Sequence, residues 1–381
     1  MSNYSAQCLL ILEKLKSHKN LLLMGPPGCG KTMLLNEVAS AFENGFTVSQ
    51  PVTSPTHTAS TVVSIPRVIP TQGLGTPLSQ LPSPLRFDRV VIKTSFHAGS
   101  KVRDFLCGLV PDLSGQANFK VQQGKLVEAN AIALDNKAVL LIIDELNRGP
   151  AVQLFGNTLV SLEKDKRLLE NDAVGVNSWP FEVYNPQSGE LLTQYMSSHL
   201  YILGALNQAD VSVEPLDIAF LRRWEKLVLK PDVNALINAF ALTSYSSAIL
   251  PSSPLYVEDV YTSVVNAFTA LNNRISIGRG EEYLMGHGLI LSRFESPLSS
   301  VSEVLEWAVD IWNCMYSHIV ELFFGDEFGL AAALNAGQRG DLICLHSRSF
   351  GQEQRQSLEI PEITVTNVYS VLCWVAQGGD V

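Results

Sequence analysis

The stretch "NLLLMGPPGCGKTMLLNEVASAF", residues 20–42, decides the fold. Three leucines, Leu21 to Leu23, read as a buried strand. A glycine-rich turn follows, and then a run of helix formers with apolar residues at helical spacing. Gly25-Pro26-Pro27-Gly28-Cys29-Gly30-Lys31-Thr32 fits G-x-x-x-x-G-K-[ST] in full, after a strand and before a helix, which is the context that gives the pattern weight. Glycines let backbone N–H groups turn inward around phosphate oxygens, and the helix N-terminus adds positive potential. Lys31 is then expected on the β and γ phosphates and Thr32 on Mg²⁺, with Met33 counted in the same binding segment.

Working outward, "DRVVIKTSF" (88–96), "AVLLIIDEL" (138–146) and "HLYILGALN" (199–207) are near-continuous apolar runs, as in strands covered on both faces. Helical patterns between them give the alternation of a doubly wound parallel sheet. The residues from Gln50 to Arg86 are rich in Pro, Ser and Thr, and the segment 51–86 reads as an inserted loop. From Pro231 the chain turns to helix-period segments without clear strands, so a smaller helical domain is expected over 231–337, after an α/β domain over 1–230. The remainder, 338–381, reads as a tail, in which "EITVTNVYSVLCWVA" is either a late strand or a docking segment.

The strand ending in "LLIIDE" places Asp144 and Glu145 side by side. Asp144 can hold the water shell of Mg²⁺, and Glu145 can polarise an attacking water. A second acid beside the magnesium ligand favours hydrolysis over transfer to a metabolite, hence a motor or switch over a small-molecule kinase. Asn207 closes the strand 199–207, where a short amide can orient the water. "PLDIAFLRRW" supplies Arg222 and Arg223, guanidinium forks suited to the γ-phosphate held by a neighbouring subunit.

The bounds agree. A chain of 381 residues with a formal net charge of −10 and a pI of about 5.2 does not attract nucleic acid or anionic membrane non-specifically. Six cysteines lack CxxC spacing, so reduced thiols are expected and neither a zinc site nor a disulfide framework is indicated. No segment reaches the ~18 consecutive apolar residues of a membrane span, and the N-terminus reads as a short helix ending in basic residues, so a cytoplasmic protein is expected.

Together these motifs resemble the AAA+ module of McrB-type subunits of modified-cytosine restriction systems, in the dynein-related branch of AAA+ proteins. "FHAGSKVRDFLCGLVPD" with "FKVQQGKL" looks like that family's segment between the Walker motifs. "IIDELNRGPAVQLFGNTLVSLEKDKR" is similar to its Walker B helix, "YILGALNQAD" with "LDIAFLRRW" to its sensor and arginine-finger region, and "YLMGHGLI" with "HIVELFFGDE" to its C-terminal lid. The resemblance spans nearly residues 1–335. It implies an α/β P-loop NTPase with a helical lid, Mg²⁺ as cofactor, and ATP or GTP as substrate. Asp144 and Glu145 become the Walker B pair, Asn207 sensor 1, and Arg222 with Arg223 the trans-acting arginines. Asn147 and Arg148 match the turn after Walker B, where an interface role is implied.

Two departures qualify the likeness. The family's Met-Asn-x-x-Asp-Arg signature is here Leu206-Asn207-Gln208-Ala209-Asp210-Val211, which implies slow or differently assisted chemistry. McrB-type subunits commonly carry an N-terminal domain that reads modified DNA, whereas this module starts within about 20 residues of Met1. DNA recognition and cleavage are therefore expected from other chains, in particular a McrC-like nuclease-bearing subunit that stimulates a hexameric ring of this chain, with DNA met only through the complex. A MoxR-type remodelling chaperone and a nucleotide-gated scaffold with little hydrolysis remain as alternatives.

Overall fold

The structure is a computed structural model. It describes residues 4–44, 82, 86, 88–112, 119–185, 188–209, 216–243, 245 and 250–377. Almost all of the 51–86 insert, and Val211, lie outside the described residues. The chain divides into two compact units. The first comprises Met1–Met24, Lys31–Leu206 and Asp210–Leu227, and the second Gly25–Gly30, Asn207–Ala209 and Val228–Val381.

The first unit is built on a five-stranded sheet. Helix α1 (Ala6–His18) leads into β1 (Asn20–Gly25), and α2 (Lys31–Asn44) into β2 (Arg89–Ser95). After α3 (Val102–Phe105) come the paired strands β3 (Cys107–Pro111) and β4 (Phe119–Gln123). Then follow α4 (Lys125–Leu134), β5 (Ala138–Asp144), α5 (Ala151–Phe155) and a second hairpin, β6 (Phe181–Tyr184) with β7 (Leu191–Gln194). The unit ends with β8 (Leu200–Asn207), α6 (Ile218–Leu221) and β9 (Glu225–Val228). The sheet order is β2-β5-β8-β1-β9, and β5 runs parallel to both β2 and β8. Every residue of β5 but Asp144 is buried, as is every residue of β8 but Asn207. The apolar runs thus form the covered centre of the sheet, and their polar last residues emerge at its carboxyl edge. Phe96, Phe105, Phe155, Phe220 and Trp224 continue the core as a chain of mostly edge-to-face rings.

Three hairpins and β9 are absent from the sequence reading, because short strands of four to seven residues that are largely exposed leave little apolar signal. The stretch 142–167 also differs from the continuous helix its likeness implied. It breaks into the 3₁₀ turn Leu146–Arg148, the five-residue α5 and three more 3₁₀ turns. Gly149-Pro150 interrupts it first, and Gly156, with φ +47°, interrupts it again.

The second unit is helical. Long helices α8 (Val257–Gly278) and α10 (Val301–Leu322) join α7 (Val233–Ala239), α9 (Gly288–Leu291) and α11 (Glu327–Ala333), before a hairpin of β10 (Cys344–Phe350) and β11 (Glu353–Glu359) and a last helix, α12 (Val368–Gln377). Ser300 and Glu303 close a reciprocal capping box on α10. The segment read as a tail is part of this core. Val368, Val371, Leu372 and Val375 are fully buried on one stripe of α12, packed with α8 and α10. Arg274 ties the ends together, donating to the carbonyls of Ala333 at 2.9 Å and Val375 at 2.7 Å, where helix C-termini favour a cation. Among the described residues no helix is long and apolar enough to cross a membrane.

Candidate nucleotide site

In the first unit the candidate site begins at the start of α2. Lys31 is buried at the helix N-terminus, and Thr32 Oγ1 donates to Asp144 Oδ2 at 3.3 Å. A cleft of about 360 Å³ opens there, lined among others by Asn36, Lys93, Ser95 and Ile142. Its back wall is fixed by the β2–β5 register, which sets Ser95 opposite Asp144, and by Lys93 Nζ donating to Asn36 Oδ1 at 2.8 Å. A hydroxyl and a carboxylate oxygen at this spacing fit a small hard cation. Two adjacent oxygens of an octahedral Mg²⁺ shell lie about 3 Å apart, given metal–oxygen distances of about 2.0–2.1 Å. Met33, by contrast, is 73% exposed.

Glu145 follows Asp144 in a left-handed conformation, φ +53° and ψ +44°, which costs a residue other than glycine about 1 kcal/mol or more. Its amide donates to Asp144 Oδ1 at 3.0 Å, so the turn that strains Glu145 also orients Asp144. The Glu145 carboxylate lies 3.1 Å from Arg148 Nε, and Asn147 is buried beneath the same 3₁₀ turn.

The two candidate arginines differ sharply. Arg223 is 9% exposed, its Nε 3.2 Å from Glu163 Oε1 and its Nη1 bonded to the Ala219 carbonyl. Arg222 is 65% exposed and only 3.8 Å from the same carboxylate. Sequence reasoning treated them alike and missed Glu163, which separates them.

Behind this segment lies a buried polar hub that the sequence also hid. Arg167 donates from Nε to the Leu162 carbonyl at 3.2 Å, from Nη1 to the carbonyls of Ser197 and Leu200, and from Nη2 to Asn20 Oδ1 at 2.6 Å. Asn20 Nδ2 in turn reaches the carbonyls of Leu162 and Arg223 at 2.8 and 3.1 Å. Burial pulls the Arg167 guanidinium below its ordinary value, yet donors from all three of its nitrogens are engaged, so it stays protonated. The hub joins β1, the 3₁₀ turns and the arginine pair into one rigid piece.

In the second unit, the glycine loop is held by the segment before α9. Gly286 donates its amide to the Pro27 carbonyl at 3.1 Å and Gly288 to that of Gly28 at 2.8 Å. Gly28 sits at φ +77°, and a Cβ on Gly286 would lie 2.1 Å from the Gly28 carbonyl carbon. Neither position accepts a side chain without moving the loop. Between them, His287 Nδ1 accepts from the Asp232 amide at 3.0 Å, and burial lowers its basicity against the opposing charge of Asp232. Asn207, the last residue of β8, also groups with this unit.

The family model for an AAA domain matches residues 14–172. The chain is 24% identical over 326 residues, 83% of its length, to the "Type IV methyl-directed restriction enzyme EcoKMcrB subunit" of Escherichia coli (strain K12). It is 24% identical over 241 residues, 59% of its length, to the "Type II restriction enzyme BsuMI component YdiS" of Bacillus subtilis (strain 168). It spans 56% and 64% of those two relatives. A looser likeness, with a TM-score of 0.31 and 12% identity over 88% of this chain and 64% of the other, is to the crystal structure of NtrX from Brucella abortus. With its strand-loop-helix phosphate motif and the Asp144–Glu145 pair at the carboxyl edge of a parallel sheet, the chain has an α/β P-loop fold, matches an AAA domain over residues 14–172 and is similar to these two restriction-system subunits.

Proposed function

We propose that this chain is a ring-forming nucleoside triphosphatase that serves as the motor subunit of a restriction complex and works with a separate nuclease-bearing subunit. The observation that carries the hydrolytic reading is the Thr32–Asp144 oxygen pair at 3.3 Å with Glu145 next in the chain. Thr32 and Asp144 would hold Mg²⁺, which when bound screens the charge of the β and γ phosphates. Lys31, at the N-terminus of α2, neutralises phosphate charge from the protein side. Glu145 orients the attacking water and takes its proton, for which its carboxylate must turn from Arg148. Asn207, at the end of β8, serves as the sensor amide in this reading. Arg222, exposed and weakly held, is the guanidinium available to a neighbouring copy's γ-phosphate, while Arg223 and Glu163 set the position of its backbone. An arginine supplied in this way contributes about 10³ to 10⁵ in rate, so an isolated copy is nearly inactive.

The restriction setting rests on the relatives named above, and the nucleotide is ATP or GTP. The test is phosphate release from each nucleotide with Mg²⁺ over a protein concentration range that spans assembly. Turnover per chain that rises with concentration is expected, and a preference for GTP would strengthen the restriction reading. A rate per chain independent of concentration would overturn the shared site.

A further inference from the structure

We propose that Cys344, His346 and Glu359 form a zinc site on the β10–β11 hairpin, gated by Arg348. The hairpin register sets Cys344 directly opposite Glu359, and His346 and Arg348 follow Cys344 at steps of two, on the same face of β10. The Cys344 Sγ lies 3.9 Å from His346 Nδ1, and that nitrogen lies 3.7 Å from Glu359 Oε2. One donor atom from each residue falls within 4.8 Å of the other two. Around a tetrahedral Zn²⁺, with bonds of about 2.3 Å to sulfur and about 2.0–2.1 Å to nitrogen and oxygen, such atoms stand roughly 3.2–3.7 Å apart. The cluster therefore needs only a small contraction. The exposed Glu359 side chain, 59% accessible, can supply it. A thiolate, an imidazole and a carboxylate suit Zn²⁺ and not Mg²⁺ or Ca²⁺, and three protein ligands leave a fourth position for water or a partner's side chain.

Arg348 engages two of the same three side chains. Its Nε donates to His346 Nε2 at 2.8 Å, and its Nη2 lies 3.7 Å from Glu359 Oε2. A ring nitrogen that accepts from Arg348 carries no proton, so the proton of neutral His346 sits on Nδ1, the nitrogen that faces Cys344 and Glu359. Zinc binding moves this proton to Nε2, which ends the bond from Arg348, and releases the thiol proton to solvent. Arg348, 61% exposed, then swings into water. The guanidinium thus competes with the metal for both His346 and Glu359.

The test uses the full chain, stripped with a chelator and titrated with Co²⁺ as a spectroscopic stand-in for Zn²⁺. The wild type is expected to bind one equivalent with a thiolate-to-cobalt charge-transfer band, retained in Cys314→Ser and lost in Cys344→Ser. His346→Ala and Glu359→Gln should each weaken binding by about ten-fold or more, and Arg348→Ala should tighten it several-fold. Unchanged far-ultraviolet circular dichroism checks that each variant folds, and the conservative Glu359→Gln keeps the test decisive if Cys344→Ser does not. A band that survives in Cys344→Ser, Co²⁺ affinity unmoved by His346→Ala and Glu359→Gln, or weaker binding in Arg348→Ala would each overturn the proposal.

Discussion

At the scale of single residues, the proposed mechanism puts the chemistry on Glu145, and Glu163 sorts the arginines. Glu145→Gln keeps the side chain's shape and removes its basicity, so nucleotide binding should persist while phosphate release is lost; an unchanged rate in a steady-state assay would remove Glu145 from the mechanism. Arg222 and Arg223 are adjacent in sequence but not equivalent. Arg222→Ala should leave stability within about 0.5 kcal/mol, since the side chain is exposed and 3.8 Å from its nearest carboxylate, yet reduce turnover by a factor of about 10³ or more. Arg223→Ala should instead destabilise the fold by about 1–3 kcal/mol, as its bonds to Glu163 and the Ala219 carbonyl are lost. Denaturant melts of the two variants measure the contrast directly.

Among elements, the segment before α9 matters as much as the phosphate loop it holds. Gly286→Ala would drive a methyl group into the Gly28 backbone, where only 2.1 Å is available. The loop must shift, and nucleotide affinity measured by calorimetry should fall by about ten-fold or more while α8 and α10 keep the helical signal. Much of this scale was legible beforehand. β1, β5 and β8 announce themselves because a strand buried on both faces is a continuous apolar run, and the carboxylates at the end of β5 follow from it; β2 was legible as a strand but not as a covered one, for it lies at the sheet edge with only Ile92 buried. What stayed hidden depends on partners distant in sequence. Asn20 and Arg167 are 147 positions apart, and neither shows in its local pattern that the two share a buried hub. α12 was hidden for another reason. Its valines and tyrosine suggest a strand, and packing against α8 and α10 overrides that preference. The Gly286–Gly28 contact likewise needs backbones that approach only in three dimensions.

On the scale of the whole molecule, one buried imidazole, His199, and two half-buried ones, His287 and His318, weaken the fold toward acid pH. His199, His287 and His318 all lie below the ordinary value of 6.5, with burial the largest cause in each. Unfolding lets each take up a proton at a higher pH than the folded chain allows, so the unfolded state binds more protons across this window. Their contribution to stability is therefore whole above about pH 6.5 and falls as pH drops through the interval down to their folded values. A thermal melt series from pH 7.5 to about 5 should show a steady loss of Tm, and a flat profile would contradict the burial of these rings. The central claim is that the catalytic centre is shared between copies, with Glu145 from one and Arg222 from the next. The most direct measurement mixes Glu145→Gln with Arg222→Ala, each nearly inactive alone, and follows phosphate release. The account expects the mixture to regain turnover, because some boundaries then pair an intact Glu145 with an intact Arg222. A mixture no faster than its components, or an Arg222→Ala protein that turns over at the wild-type rate, would contradict it.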